Sequence, residues 1–378
     1  MEHGDDKIRI GEISLELLLI AGEDFRKGSF VMNQPIRILH VFGGMNLGGA
    51  ESRIMDLYRH IDRGRVQFDF LVHTAQEGYF DKEIKELGGR IYRVPRFRLY
   101  NYFAYRKACK KFFEKNHDFK AIQGHMTSTA GIYLPIAKKA GIPITIAHAR
   151  SAGVDKGAKG IVTRWLRRNL DKKADYLFTC SRLAGISVFG KKAVENNRTV
   201  FIPNAIDCSA FVYDEEKRQC MRKELGLEEK YVIGHVGRFH YAKNHEYLIR
   251  IFAKLSEKGK KDYRLLLVGE GEGMTDAKKL TKELRIEDKV IFAGNKANVY
   301  DYYQAMDYFV YPSRYEGLPG TVVEAQTAGL RCLMSDTICE EVAVTELVTT
   351  MSIERDPEAW ADFILQTEKI RDISSSRG

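Results

Sequence analysis

The residues best placed to do chemistry lie in one stretch, 308–335, which reads YFVYPSRYEGLPGTVVEAQTAGLRCLMS. Two carboxylates frame its middle, Glu316 and Glu324, with seven residues between them. The stretch opens on a short apolar run with the aromatic and β-branched content of a buried strand. Pro312 and Ser313 end that run, a polar loop follows, and Leu318-Pro319 reads as a helix start, where proline's missing N–H is no loss. A strand–loop–helix turn aims backbone N–H groups and the positive end of a helix dipole at one point, which suits a phosphate. A carboxylate just before the helix can accept from sugar hydroxyls, and one a turn inside can reach a ribose diol. The unit therefore suits a nucleotide-sugar. Two solvated glutamates beside a helix start would explain a bare E-x7-E equally well; the intervening Gly-Leu-Pro makes the pattern informative.

A second group lies in Gly237-Arg-Phe-His-Tyr-Ala-Lys243, directly after a predicted strand. Arg238 and Lys243 can neutralise a diphosphate leaving group, one as a fork and the other as a point charge. Such cations replace a metal, and no Asp-x-Asp that would hold one is present. The alternative is a solvated basic loop. In the first half, His125 ends a strand beside Gly124 and a Thr-Ser-Thr turn, while His148 and Arg150 end the next strand and can line an acceptor site. A partly buried structural histidine is the competing reading of His125. His40, His73 and His235 sit within strands and read as packing residues. Trp165, among Arg164, Arg167 and Arg168, either dips into a membrane interface or packs inward.

The elements that must position these groups alternate strand and helix. Ile36–Phe42 is a strand that enters the glycine-rich loop Gly43-Gly-Met-Asn-Leu-Gly-Gly-Ala-Glu51, and a helix carrying Ile54, Leu57, Tyr58 and Ile61 follows. This opening is Rossmann-like, but it is not G-x-G-x-x-G, so a dinucleotide is not favoured. Strands follow at 68–73, 91–94, 121–125, 144–148, 176–180 and 199–202, with helices at 79–87, 102–116, 129–139 and 162–173. After Pro203-Asn-Ala-Ile-Asp207 the alternation restarts, with strands at 231–236, 263–268 and 290–293 and helices at 245–257, 276–284 and 299–305. The fold class is α/β: two doubly wound Rossmann-like domains, 35–204 and 205–378, facing a cleft onto which the carboxyl ends of both sheets open. Residues 1–34 read as a poorly ordered extension.

Charge separates the halves. The chain has 378 residues and a net charge of +9. Residues 35–204 hold 31 Lys+Arg against 14 Asp+Glu, whereas residues 205–378 hold 25 against 30. The basic half is expected to face something anionic. The six cysteines form no C-x-x-C pair and read as reduced thiols. No apolar run is long enough to predict a membrane span.

Several motifs in order resemble the family-4 glycosyltransferases, retaining enzymes of the GT-B fold. Gly48-Gly-Ala-Glu51 is similar to the N-domain loop and Pro203-Asn-Ala-Ile-Asp207 to the interdomain N-G-I-D segment, with Ala205 for its glycine. Val236–Asn244 resembles the G-R…K-N donor loop, Leu267–Gly271 the next strand turn, and 313–336 the E-x7-E region. The resemblance spans about 36–365, and the Leu-Pro-Gly…Glu-Ala-Gln-x-Ala-Gly-Leu run looks most like exopolysaccharide or capsule transferases. It implies that Glu316 contacts the donor sugar, that backbone groups of Gly317, Leu318 and Gly320 around Pro319 contact its hydroxyls or the phosphate, and that Glu324 accepts from the ribose diol. Gly237, Arg238 and Lys243 complete the donor site. His125 would lie by the donor sugar and acceptor, and Gly48 and Gly49 would meet phosphate or acceptor. Arg331 stands where the family has proline. The family also ends with a helix crossing back onto its N-terminal domain, and 360–370 is where that return would begin.

The reading expected is a metal-independent, retaining hexosyltransferase with no cofactor. It moves a hexose or N-acetylhexosamine from a UDP-sugar to a lipid-linked or other saccharide acceptor. It works in the cytoplasm, at the inner face of the plasma membrane, through a basic N-terminal domain attracted to anionic lipid. A UDP-sugar 2-epimerase of the same fold and a non-catalytic partner subunit are the alternatives. Nucleic acid is not expected as a partner, since no aromatic-basic repeat or recognised module accompanies the charge.

Overall fold

The computed structural model describes residues 34–368 apart from 155, 156, 203 and 205. The predicted extension therefore lies, but for its last residue, outside the described residues. The chain divides into two compact units, Met1–Ala205 and Ile206–Gly378.

The N-terminal unit holds a seven-stranded sheet of order β3-β2-β1-β4-β5-β6-β7. Its strands are β1 (Ile36–Phe42), β2 (Val66–Val72), β3 (Ile91–Arg93), β4 (Ala121–Gly124), β5 (Ile144–Ala149), β6 (Tyr176–Thr179) and β7 (Thr199–Phe201). All pair in parallel. The helices are α1 (Gly49–His60), α2 (Asp81–Glu86), α3 (Tyr102–Lys115), α4 (Thr127–Lys139), α5 (Ala158–Arg167), α6 (Arg182–Phe189) and α7 (Lys191–Glu195). Parallel strands covered on both faces need near-continuous apolar runs, and β2 is buried at every position. Its two polar exceptions are satisfied: Asp69 accepts from Arg37 Nε at 2.6 Å, and Gln67 accepts from the Tyr58 hydroxyl at 2.6 Å.

The C-terminal unit holds a six-stranded parallel sheet of order β10-β9-β8-β11-β12-β13. Its strands are β8 (Tyr231–Val236), β9 (Tyr263–Val268), β10 (Val290–Gly294), β11 (Tyr308–Tyr311), β12 (Arg331–Ser335) and β13 (Val348–Met351). Helices α8 (Glu215–Glu224), α9 (His245–Lys258), α10 (Met274–Glu283), α11 (Val299–Ala305), α12 (Gly320–Thr327) and α13 (Pro357–Thr367) complete it. Leu248, Phe252 and Leu255 of α9 recur at helical spacing and pack with Leu265, Leu267 and Trp360 in the core.

The differences from the sequence reading have local causes. The helix expected over 162–173 ends at Arg167, because Asn169 takes a left-handed conformation (φ 59°) before a short 3-10 turn. Pro319 is extended (ψ 106°) and precedes α12, so it caps the helix from outside instead of opening it. Helices α6, α7 and α8 and strand β13 were not expected; α8 is so polar that its sequence reads as loop, and it is fixed by Arg218 and Arg222 pairing with Asp307. Of the stretch 360–370, where the family's return to the N-terminal domain would begin, residues 369 and 370 lie outside the described residues. Helix α13 packs on α9 in its own unit, with Trp360 fully buried and the Tyr263 hydroxyl donating to Glu368 at 2.8 Å.

Candidate active site

Each sheet reverses its winding direction once. In the N-terminal unit this occurs between β1 and β4, and in the C-terminal unit between β8 and β11. Loops leave the carboxyl ends of neighbouring strands in opposite directions there and open a crevice, the usual ligand position of such sheets. Nearly every residue singled out above falls at one of these two points.

In the C-terminal unit, β8 runs into the Gly237–Lys243 loop and β11 into the loop from Pro312 to Gly320. The two loops are stapled together: Arg314 N donates to Ala242 O at 2.7 Å and Asn244 Nδ2 to Pro312 O at 3.1 Å. Asn244 adopts a left-handed backbone (φ 58°) to turn the chain into α9. The Gly269-Glu-Gly-Glu-Gly273 turn lies against the first loop so closely that a Cβ on Gly269 would sit 2.2 Å from Gly237 O, and one on Gly271 would sit 2.3 Å from Phe239 O. Those two glycines are steric requirements of the Gly237–Lys243 loop's position.

Lys243 and Glu316 meet across this junction, with Nζ 2.7 Å from Oε1. The Tyr311 hydroxyl also contacts the ammonium, which lies 4.8 Å from that ring's centroid. Burial alone would depress the Lys243 pKa; the Glu316 carboxylate and Tyr311 outweigh it and hold the ammonium above its ordinary value. Gly237 lets the lysine pass, since a Cβ there would lie 3.3 Å from Lys243 Cδ. Beneath them His235 and His245 are buried and neutral, pushed down to about 4 and about 2 by burial. His245 stacks on Phe239 at 3.9 Å, and His235 lies 5.2 Å from the Tyr311 ring. Arg238 differs from Lys243: it is exposed and makes no ion pair among the described residues.

Glu324 is buried within α12, and its Oε2 accepts from the Tyr303 hydroxyl at 2.9 Å. Burial first, and then Glu324, push that hydroxyl's pKa well up. The other oxygen, Oε1, lies 4.0 Å from where a Gly320 Cβ would be, towards the first turn of the helix. One carboxylate oxygen is thus committed to the core and the other is directed to the helix N-terminus. Gly317, Leu318 and Pro319 form the approach to that turn, and the Cys339 thiol donates to Gly317 O at 2.9 Å.

In the N-terminal unit His125 follows β4, and its N–H donates to Val41 O at 3.1 Å. Arg150, just after β5, donates from Nε to His125 Nδ1 at 2.9 Å and from a terminal nitrogen to Asn204 Oδ1 at 3.2 Å. A guanidinium only donates, so His125 Nδ1 is an acceptor and the ring's proton sits on Nε2. That Nε2 lies 3.2 Å from His40 Nδ1. His40 is therefore an acceptor at Nδ1, and its Nε2 has no hydrogen-bond partner among the described residues. His148 Nδ1 lies 2.8 Å from Gln123 Nε2, so it too accepts. All three rings are neutral: burial first, and Arg150 second, push His40 down to about 3 and His125 and His148 well below their usual range. Burial likewise lowers Arg150 to about 10, opposed by Glu51.

Glu51 lies in the first turn of α1 and folds back over Gly48, where a Cβ would come within 2.4 Å of its Oε2. Gly49 has open space above its Cα. His40, read from the sequence as a packing residue, is buried but also accepts from His125 Nε2. Tyr303, Tyr311 and Glu51 belong to the two sites as well. An aromatic at the end of β11 or on α11 carries no sequence signal distinct from core packing, and only the Gly48–Glu51 motif pointed to one of the three.

Two family models match this chain: a glycosyl transferase 4-like domain over residues 48–205 and the glycosyl transferases group 1 over residues 217–376. EpsF of Bacillus subtilis, described as a glycosyltransferase, is 34% identical over 333 residues, covering 87% of this chain and 86% of EpsF. The chain belongs to the GT-B glycosyltransferases. The capsular polysaccharide biosynthesis glycosyltransferase CapH of Staphylococcus aureus is 25% identical over 335 residues, covering 87% of this chain and 90% of CapH. Among solved structures, Anabaena HepE in complex with UDP and glucose has the same fold, with a TM-score of 0.75 and 17% identity over 90% of this chain and 94% of HepE. This GT-B glycosyltransferase thus has its two sheets wound as the sequence reading expected.

Proposed function

We propose that this glycosyltransferase transfers a hexose or N-acetylhexosamine from a UDP-sugar to a saccharide acceptor carried on a lipid, with retention of anomeric configuration, in the assembly of an exopolysaccharide or capsule. The observation that carries the proposal is the Lys243–Glu316 pair at the β8/β11 switch point. A buried ammonium held charged beside a carboxylate, with a helix N-terminus a few residues on, is a preorganised place for a sugar diphosphate. When a diphosphate binds, Lys243 can turn from Glu316 to the leaving group, with Arg238 exposed on the same loop. Glu316, released, accepts from the hydroxyls of the sugar being transferred. Glu324 Oε1, on the side of the helix N-terminus, accepts from the ribose, and the Tyr303 bond to Oε2 keeps that carboxylate aimed.

The two cations take the place of a metal at the diphosphate. In the N-terminal unit, neutral His125 with Arg150, His148, Gly48 and Gly49 forms the acceptor side. The likeness to CapH supports a polysaccharide product, and the UDP and glucose bound by HepE support the donor. Among the described residues no helix is long and apolar enough to cross a membrane; the proposed place of work is the cytoplasmic face of an anionic membrane, met through the basic N-terminal unit. Screening UDP-sugars for hydrolysis and for a rise in melting temperature tests this. One UDP-sugar should be hydrolysed slowly and stabilise the protein, and no response to any of them would overturn the donor assignment.

A further inference from the structure

The N-terminal unit exposes large apolar side chains on two neighbouring helices. Before and at the start of α3, Leu99, Tyr100 and Phe103 are 57, 82 and 82% exposed. On α5, Ile161 and Trp165, one turn apart, are 63 and 61% exposed, while Leu166 turns inward. The two groups are continuous: Phe103 stands edge-on to Tyr102 at 5.3 Å, and Tyr102 and Trp165 line one cavity of about 330 Å³. That cavity is also lined by Arg168 and Lys173, both exposed. Lys173 Nζ lies 3.2 Å from where a Gly131 Cβ would be, so the absent side chain leaves the ammonium its place.

The charge around this patch has one sign. Residues 96–115 carry seven Lys+Arg against one acidic residue, Glu114, and residues 157–173 carry six against one, Asp171. Asp171 is already paired with Arg198. Aromatic and aliphatic side chains standing out among cations, with a cationic cavity between them, match the chemistry of a phospholipid surface. The rings sit at the headgroup level, and the cations meet phosphates. An acidic protein would satisfy the charge but not five separately projecting apolar side chains around a cationic hollow.

We infer that this face, formed by the start of α3 and the outer side of α5, docks on an anionic phospholipid bilayer, with Phe103 and Trp165 entering the interface and the Arg168–Lys173 cavity receiving a lipid headgroup phosphate. The inference rests on the membrane-facing part of the proposed function and names the surface that performs it. It also turns the two-way sequence reading of Trp165 towards the outward alternative.

The chain contains two tryptophans, and Trp360 is fully buried. Trp165 is therefore a built-in reporter. Phosphatidylcholine vesicles with and without phosphatidylglycerol are added to the full-length protein, and tryptophan emission and cosedimentation are recorded. Emission should shift to the blue on the anionic vesicles only, high salt should reverse both signals, and Trp165→Phe should lose the shift while still sedimenting. Phe103→Ser with Ile161→Ser should weaken partition by about tenfold or more, and Arg168→Glu with Lys173→Glu should abolish it. Equal partition onto neutral vesicles, or sedimentation with unchanged Trp165 emission, would overturn the inference. A blue shift that grows with protein concentration in the absence of vesicles would overturn it too, by making a second copy the occupant. UDP titration of the same preparations without vesicles separates the two proposals. Lost UDP binding with intact vesicle binding would defeat the donor reading alone, and the reverse pattern would defeat the docking face alone.

Discussion

Replacing Glu316 with glutamine keeps its shape and removes its charge. In the free protein this strands the Lys243 ammonium, whose partner oxygen is 2.7 Å away and whose side chain is 18% exposed. Breaking a buried pair by removing one partner costs about 3–5 kcal/mol, and the residual exposure places this case at the low end, about 3 kcal/mol. For a domain of this size each kcal/mol moves the melting midpoint by about 2–4 °C, so Glu316→Gln should melt about 6–12 °C lower. The informative part is what UDP then does. A diphosphate supplies the negative charge that the variant lacks, so UDP should raise the midpoint of Glu316→Gln by more than it raises the wild type. Turnover should still fall sharply, because the sugar has lost its acceptor. The double variant Lys243→Met with Glu316→Gln removes both charges and should recover much of the stability while losing the UDP response. Differential scanning calorimetry of the three proteins with and without UDP measures all six states. If Glu316→Gln melted like the wild type and responded to UDP no more strongly, Lys243 would not be the group that alternates between carboxylate and diphosphate.

Other outcomes follow from the same contacts. Tyr303→Phe should weaken UDP binding by about 1 kcal/mol, as Glu324 loses its aiming bond, and Glu324→Gln should weaken it by about 1–3 kcal/mol; calorimetric titration distinguishes these from no effect. His40, His125 and His148 are held neutral in the folded state, whereas in the unfolded chain they take up protons near pH 6.5. As pH falls below that value the unfolded state binds protons that the native state refuses, so stability drops by about 1.4 kcal/mol per pH unit for each such histidine. Melting curves between pH 7.5 and 5 should show a steep fall, and a flat profile would contradict the buried-neutral assignment. His40→Phe keeps the packing but frees His125 Nε2, and it should lower turnover with little change in UDP affinity.

The fold was largely written in the apolar runs. Strands β1, β8, β9 and β11 are short, largely apolar runs, and each is followed by a glycine or proline, so sequence and structure agree on them. Helix α8 was illegible because it is held by Arg218 and Arg222 reaching to Asp307, more than eighty residues on, a contact no local pattern reveals. The Asn169 break in the basic helix was equally hidden, since asparagine adopts a left-handed backbone only where the tertiary structure asks for it. At the candidate site, spacing and residue type singled out Arg238, Lys243, Glu316 and Glu324. What they do to one another was not readable. That Lys243 is already spoken for by Glu316, that Arg238 stands exposed, and that Glu324 spends one oxygen on Tyr303 are facts of sheet order, which brings β8 beside β11. The histidine pair was half legible: His125 was marked by its place after a strand, and His40 only by pairing across β1 and β4.

The central claim is that Lys243, on a loop fixed at the β8/β11 switch point, holds the diphosphate of a UDP-sugar without a metal. Titrating UDP calorimetrically into wild-type protein and into Lys243→Ala, both in excess chelator, tests it most directly. The wild type should bind UDP unimpaired by the chelator and the variant should bind on the order of 10²-fold more weakly, with Lys243→Met/Glu316→Gln as the folded control showing the same loss. UDP binding that vanished from the wild type when divalent ions were removed, or that survived unchanged in both variants, would contradict it.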